Sequence, residues 1–65
     1  MKILVNGAWR EITRAELAGA LEELGYGRSV VSTAVNGEFV AATLRTRTVL
    51  AEGDRIEVLA PMQGG

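Results

Sequence analysis

Two Asn-Gly pairs, Asn6-Gly7 and Asn36-Gly37, restrict the folds open to this chain more than any other feature of its sequence. Asn and Gly both tolerate the positive φ of a type I′ turn, so each pair between strand-like segments predicts a two-residue β-hairpin. In the first hairpin Trp9 and Ile12 fall on opposite faces, and we expect one of them to be exposed or at an edge. The flanking strands are predicted at residues 2–6, 8–12, 30–35 and 38–40.

The segment between the hairpins predicts one helix. It starts with a capping box, in which we expect the Thr13 hydroxyl to accept a hydrogen bond from the Glu16 amide and the Glu16 carboxylate to accept one from the Thr13 amide. Gly25 stands where a left-handed helix cap is expected. The predicted core-facing residues are Leu17, Ala20, Leu21 and Leu24, and the predicted water-facing residues are Glu16, Glu22 and Glu23.

The last third of the chain predicts a connection, a strand and a tail. Residues 42–48 are polar and rich in Thr and Arg, and we expect an irregular surface connection there. Residues 55–60 alternate as a strand, with Ile56 and Val58 on the opposite face from Leu59. Pro61 ends this strand because it has no N–H to donate to a sheet.

Two hairpins around one helix predict an α+β fold. If the last strand lies parallel to the first, the apolar faces of both are buried under the helix. This is the ubiquitin-like β-grasp arrangement, a mixed sheet of about five strands packed on one helix. We expect residues 1–60 to form this domain and residues 61–65 to be a flexible C-terminal tail.

Composition restricts the function. The chain has 65 residues, with seven Lys or Arg, eight Asp or Glu, and neither His nor Cys. Thiol nucleophiles, imidazole bases and their zinc sites are therefore excluded. The balanced charge disfavours nucleic-acid binding and polybasic membrane anchoring, and no apolar run approaches the roughly 20 residues of a membrane span. We expect a soluble, cytoplasmic protein without chemistry of its own rather than an enzyme, with no catalytic residues and no bound metal or cofactor.

Three segments carry a resemblance that covers the whole chain. They are Val35-Asn36-Gly37-Glu38-Phe39-Val40, the run from Leu50 to Val58, and the final Gly64-Gly65. In this order they resemble the ThiS family, the bacterial sulfur carriers of thiamine biosynthesis. The stretch 41–45 departs from the family, since many members have a Pro and then a Trp after the position of Val40. This departure affects partner contacts made through residues 41–48 and leaves the tail unchanged.

The resemblance implies chemistry at the carboxylate of Gly65. An E1-like (ThiF-like) enzyme would adenylate it with ATP and Mg²⁺, and sulfur supplied through a cysteine desulfurase would replace AMP to leave a thiocarboxylate. A ThiG-like thiazole synthase would then take the sulfur for the thiazole of thiamine. The resemblance assigns tail and partner contacts to Gly64, Gln63 and Met62, with Leu59 beside them.

Other interpretations remain open at this point. The small subunit of molybdopterin synthase is also a β-grasp sulfur carrier that ends in Gly-Gly, although it is usually longer. A ubiquitin-like modifier or protein-binding module, or a ligand-binding β-grasp domain of a larger enzyme, are further alternatives. Leu59 and Met62 are either a docking patch or ordinary exposed residues, and Arg45 and Arg47 are either a partner contact or a solvated loop.

Overall fold

The computed structural model describes residues 1–60. The predicted tail, 61–65, lies outside the described residues and stays a prediction. The elements, in chain order, are β1 (Lys2–Val5), β2 (Ala8–Glu11), α1 (Leu17–Glu23), β3 (Ser32–Val35), β4 (Glu38–Val40), a 3₁₀ helix (Ala42–Arg47) and β5 (Arg55–Leu59). Among residues 1–60, no helix is long and apolar enough to cross a membrane.

Within the described residues the strands form one five-stranded sheet in the order β2-β1-β5-β3-β4. β1 and β5 lie parallel at its centre, and the other neighbouring pairs are antiparallel. The α-helix α1 packs on one face, which we call the inner face, and the opposite face is the outer face. The predicted α+β, ubiquitin-like β-grasp fold is confirmed.

Both predicted hairpin turns are confirmed by their backbone angles. Asn6 and Asn36 have φ of 49° and 51°, and the glycines that follow them have φ of 83° and 86°. Four strand bounds differ from the prediction, since β1, β2 and β5 each end one residue earlier and β3 begins two residues later. β2 ends before Ile12, which turns inward and is buried, and β3 begins two residues after Val30, which is 81% exposed. A β-branched side chain favours strands without fixing where the sheet begins.

The core lies between the inner face and α1. Strand alternation places Ile3 and Val5 of β1 and Ile56 and Val58 of β5 on this face, as predicted. Thr33 is buried among them, and its hydroxyl donates to the Val40 carbonyl oxygen at 2.9 Å. The buried apolar residues are Ile3, Val5, Ile12, Leu17, Ala20, Leu21, Leu50, Ile56 and Val58.

The predicted capping box at the start of α1 is wrong. Glu16 occupies the N-cap position, and no side-chain cap bond forms there within residues 1–60. The Thr13 amide instead donates to the carboxylate of Glu23, at 2.9 Å to each oxygen, and the Arg14 amide donates to the same carboxylate at 3.1 Å. Glu16 pairs with the Arg14 guanidinium at 3.2 Å. Glu23, at the far end of the helix, therefore takes the Thr13 amide that the capping box assigned to Glu16.

The end of α1 agrees with the prediction. Gly25 has φ of 96°, which a residue with a Cβ adopts only with strain. Its amide donates to the Glu22 carbonyl, and the Tyr26 amide donates to the Leu21 carbonyl at 2.8 Å. This pair of bonds is a Schellman motif, which satisfies carbonyls that the helix leaves unpaired at its end.

The segment after β4 is more regular than predicted, because residues 42–47 form a 3₁₀ helix. Arg45 joins this helix to the sheet: its Nε donates to the Thr33 hydroxyl at 3.1 Å and its Nη2 donates to the Val31 carbonyl at 2.6 Å. Arg45 is therefore a structural residue, and its interpretation as a solvated loop residue is wrong. Arg47 is exposed.

Candidate functional site

The strand β5 fixes where the chain leaves the domain. It lies between β1 and β3, and its last residue, Leu59, is paired with Ser32 of β3. The next residue, Ala60, is the last that the structure describes. The predicted tail therefore follows a strand that is held on both sides. The point at which the tail leaves the sheet is fixed by these neighbouring strands.

Leu59 is the predicted site residue that the structure describes. It is 67% exposed and lies on the outer face, because its neighbour Val58 points into the core. The other predicted site residues lie outside the described residues; these are Met62, Gln63, Gly64 and Gly65.

Leu59 shares the outer face with apolar residues of β3 and β4. Phe39 of β4 is 72% exposed and shares the outer face, since it pairs with Ala34, which in turn pairs with Glu57 of β5. We call Leu59, Phe39 and Ala34 the outer-face patch. The alternation of Phe39 with the inward-facing Val40 was a signal in the sequence for its exposure. The strand register was needed to place Phe39 in line with Ala34 of β3, the strand between β4 and β5.

A second exposed aromatic residue lies on the same face across the sheet. Trp9 of the edge strand β2 is 58% exposed and pairs with Leu4 of β1. The expectation that either Trp9 or Ile12 is exposed is thereby confirmed, with Trp9 outside and Ile12 buried. Leu4 pairs in turn with Arg55 of β5, so charged side chains separate Trp9 from the outer-face patch.

The charges at the centre of the outer face form a weak pair. The Arg55 Nε lies 3.9 Å from a Glu57 carboxylate oxygen, and both side chains are about half exposed. Such exposed pairs contribute between about 0 and 1 kcal/mol to stability because water screens them. Both groups are accordingly free to exchange this contact for one with a partner at little cost.

The acidic side chains of the described residues do not gather into a metal site. Within residues 1–60 no group of three or more acidic side chains is placed to hold a metal ion, and the chain has neither His nor Cys. An open groove of about 230 Å³ lies between the end of α1 and the 3₁₀ helix, with Glu22, Tyr26, Ser29 and Arg45 in its lining. The Arg45 side chain in this lining is already engaged by the Val31 carbonyl and the Thr33 hydroxyl.

Comparison with known proteins agrees with this geometry. The ThiS family model matches residues 3–65. No curated protein matches the chain. The crystal structure of the thiamine biosynthesis protein ThiS from Geobacter metallireducens superposes with a TM-score of 0.83 at 28% identity, covering all of both chains. A solution NMR structure of a thiamine biosynthesis protein from the same organism gives a TM-score of 0.77 at 28% identity, covering all of this chain and 88% of the other. The chain belongs to the ThiS family.

Proposed function

We propose that this protein is a sulfur carrier whose Gly65 carboxylate is adenylated and converted to a thiocarboxylate. That thiocarboxylate supplies sulfur for the thiazole ring of thiamine. The observation that carries the proposal is the family match, which extends through residue 65 and so includes both terminal glycines. The described fold supports it, because the five-stranded sheet with one helix matches the ThiS structure from Geobacter metallireducens over the whole chain.

The chemistry needs an activating enzyme because a free carboxylate is a poor electrophile. A carboxylate oxygen attacks the α-phosphorus of ATP and pyrophosphate leaves, which turns the terminus into an acyl-adenylate with AMP as a good leaving group. The outer sulfur of a persulfide formed by a cysteine desulfurase then attacks the carbonyl carbon, and AMP departs. A thiol reductant cleaves the S–S bond of the resulting acyl disulfide, which leaves the thiocarboxylate on Gly65. The E1-like partner would supply Mg²⁺ and the cationic groups that stabilise the phosphates.

Two terminal glycines suit this use of the chain end. Without a Cβ, glycine makes the narrowest peptide and reaches backbone angles closed to other residues. Gly64 and Gly65 would therefore pass through a tight channel towards ATP in the activating enzyme and towards substrate in the thiazole synthase. Gln63 and Met62 would set the remaining distance between the domain and the carboxylate.

We propose that the outer-face patch docks the E1-like enzyme. The patch includes Leu59, the last residue of β5, so a partner bound there lies beside the start of the tail. Phe39 adds an exposed aromatic side chain, a type that is enriched at protein interfaces. Docking on this face would place the short tail within reach of the same enzyme that binds the domain.

The proposal is tested by ATP–pyrophosphate exchange with an E1-like enzyme from the same host. Wild type is expected to support exchange. Deletion of Gly65 should abolish it, because the carboxylate is withdrawn by one residue. Gly64→Val should lower it strongly, because the added side chain blocks passage through the channel. The thermal midpoint of both variants should stay close to that of wild type, since the changed residues lie beyond the domain.

Two results would contradict the proposal. Exchange by Gly64→Val at the wild-type rate would show that the terminus does not enter a tight channel. A large loss of thermal stability on deleting Gly65 would show that the terminus is part of the folded core instead of a presented group.

The small subunit of molybdopterin synthase is the alternative closest in chemistry, because it uses the same Gly-Gly terminus. The thiamine pathway is favoured by the match to the ThiS family and by the two solved structures, which are both named for thiamine biosynthesis. Deletion of the gene in its host separates the two pathways. Growth restored by thiamine supports the proposal, and growth restored only by a source of molybdenum cofactor supports the alternative.

A further inference from the structure

The strand that carries the tail extends beyond its parallel neighbour. β1 pairs with β5 at two positions, Leu4 with Arg55 and Val5 with Ile56, and then turns away at Asn6. β5 continues to Leu59. On the β1 side, the backbone N–H and carbonyl of Val58 therefore face no strand in the described part of the chain. Buried or half-buried backbone groups are costly to leave unpaired.

The side chain of Asn6 takes the place of the missing strand. Its Oδ1 accepts a hydrogen bond from the Val58 N–H at 2.8 Å, and its Nδ2 donates to the Val58 carbonyl oxygen at 3.0 Å. The Asn6 main-chain N–H donates to the Ile56 carbonyl oxygen at 3.0 Å. A carboxamide offers an acceptor oxygen and a donor nitrogen side by side, so the Asn6 side chain bonds both backbone groups of Val58 and extends the β1–β5 ladder by one residue. A carboxylate or an alkyl side chain lacks at least one of these two groups.

We propose that Asn6 is a positioning residue for the C-terminal tail. This rests on the function proposed above. Leu59 follows Val58 directly, and residues 61–65 span at most about 17 Å even when fully extended. With so short a tail, the position that the terminal carboxylate reaches depends strongly on the direction in which the chain leaves the sheet. By fixing Val58, Asn6 aims the carboxylate of Gly65 at the activating enzyme's ATP once the domain has docked.

The second Asn-Gly turn provides a matched control on the same strand. Asn36 has nearly the same φ as Asn6, and its Oδ1 accepts from the Arg55 N–H at 2.9 Å while its Nδ2 donates to an Asp54 carboxylate oxygen at 3.0 Å. Each Asn side chain thus makes two hydrogen bonds to residues at or next to β5. Asn36 holds the start of the strand, and Asn6 holds the end from which the tail leaves.

The experiment compares Asn6→Gly with Asn36→Gly. Glycine adopts the positive φ of both turns without strain, so each variant keeps its hairpin and loses only the side-chain amide. Backbone amide exchange measured by NMR should speed up at Val58 in Asn6→Gly and at Arg55 in Asn36→Gly. Adenylation is then measured with the E1-like enzyme of the same host. Because the docked surface is unchanged and the tail is less well aimed, Asn6→Gly should lower kcat about three- to tenfold and leave KM within about twofold. Asn36→Gly should stay near wild type in both constants.

The outcomes separate this inference from the function on which it rests. No adenylation of wild type overturns the proposed function, and the role of Asn6 falls with it. Adenylation of wild type together with an equal kcat for the two Gly variants overturns the role of Asn6 alone. So does a rise in KM at unchanged kcat, which would assign Asn6 to docking.

A second variant keeps the inference testable if Asn6→Gly does not fold. Asn6→Asp keeps the acceptor for the Val58 N–H and replaces the donor with an oxygen that repels the Val58 carbonyl. It should lower kcat without a matching rise in KM, because the Val58 carbonyl is no longer held. A wild-type kcat in a folded Asn6→Asp would overturn the role of Asn6.

Discussion

Glu23 shows how one side chain joins two distant parts of the backbone. Its carboxylate accepts from the amides of Thr13 and Arg14 and from the Thr13 hydroxyl, and so ties the entry of α1 to the last turn of the same helix. The hydrogen bonds from the two backbone amides hold the pKa of Glu23 below its ordinary value, and the bond from Thr13 has the larger effect. Hydrogen bonds to the charged form favour that form. The ionised carboxylate is thus part of the folded structure.

Replacing Glu23 tests this pH linkage. Because the pKa is lower in the folded state, the contribution to stability is present at pH above the ordinary Glu range and is lost as pH falls through the lowered folded-state pKa. Glu23→Gln should therefore lower the thermal midpoint at pH 7 and differ progressively less from wild type as the pH falls into the acid range. Thermal denaturation followed by circular dichroism across this range makes the measurement.

The neighbouring residue is the matched control for Glu23. Glu22→Gln removes the same charge from the same turn of α1, and Glu22 is likewise exposed. Its midpoint at pH 7 should stay close to that of wild type. If Glu22→Gln lowered the thermal midpoint as much as Glu23→Gln, the loss would come from the overall charge of the protein. The hydrogen bonds to residues 13 and 14 would then not be its cause.

At the scale of elements, the Arg45 side chain anchors the 3₁₀ helix to the sheet. Arg45 bonds to the buried Thr33 hydroxyl and to the Val31 carbonyl, and so connects residues 42–47 to β3. Arg45→Met keeps much of the side-chain length and removes both donors. Hydrogen bonds from a charged donor contribute roughly 1.5–3 kcal/mol, so the variant should lower the free energy of unfolding by about that amount. Urea denaturation provides the value.

Arg47 on the same 3₁₀ helix is the control for this prediction. It is exposed, and Arg47→Met should change the free energy of unfolding by less than about 0.5 kcal/mol, as expected for a surface substitution. Equal losses in the two variants would contradict the structural role assigned to Arg45.

The elements also show which features were predictable from sequence. Alternation identified the buried faces of β1 and β5, and the Asn-Gly pairs identified both turns, because these signals are local to a few residues. The 3₁₀ helix was missed because 42–47 has no apolar periodicity, and its anchor, Arg45, bonds to residues twelve or more positions away. The capping box failed for the same reason, since Glu23 competes from ten residues along the chain.

The candidate site also contains residues that local sequence predicted and residues that it did not. The exposure of Leu59 followed from alternation along β5, and the structure agrees with it. Phe39 and the amide of Asn6 were not assigned to the site, because their relation to β5 depends on strand register and on the point at which β1 ends. The tail residues 62–65 remain a prediction from sequence.

At the scale of the whole molecule, the proposed function divides the chain in two. The domain, residues 1–60, presents the outer-face patch and fixes the end of β5 through its neighbours β1 and β3 and through Asn6. The terminus would carry the reacting group. Catalysis would then belong to the partner enzymes, and the carrier would contribute recognition, direction and reach.

The central claim is tested most directly by intact mass spectrometry of the protein purified from its native host during growth without thiamine. The account predicts a fraction of molecules heavier by the difference between one sulfur and one oxygen atom, with fragment ions that place the change at Gly65. Gly65 deletion provides the control and should show no such fraction. Protein of unmodified mass under these conditions, or the added sulfur on any other residue, would contradict the account.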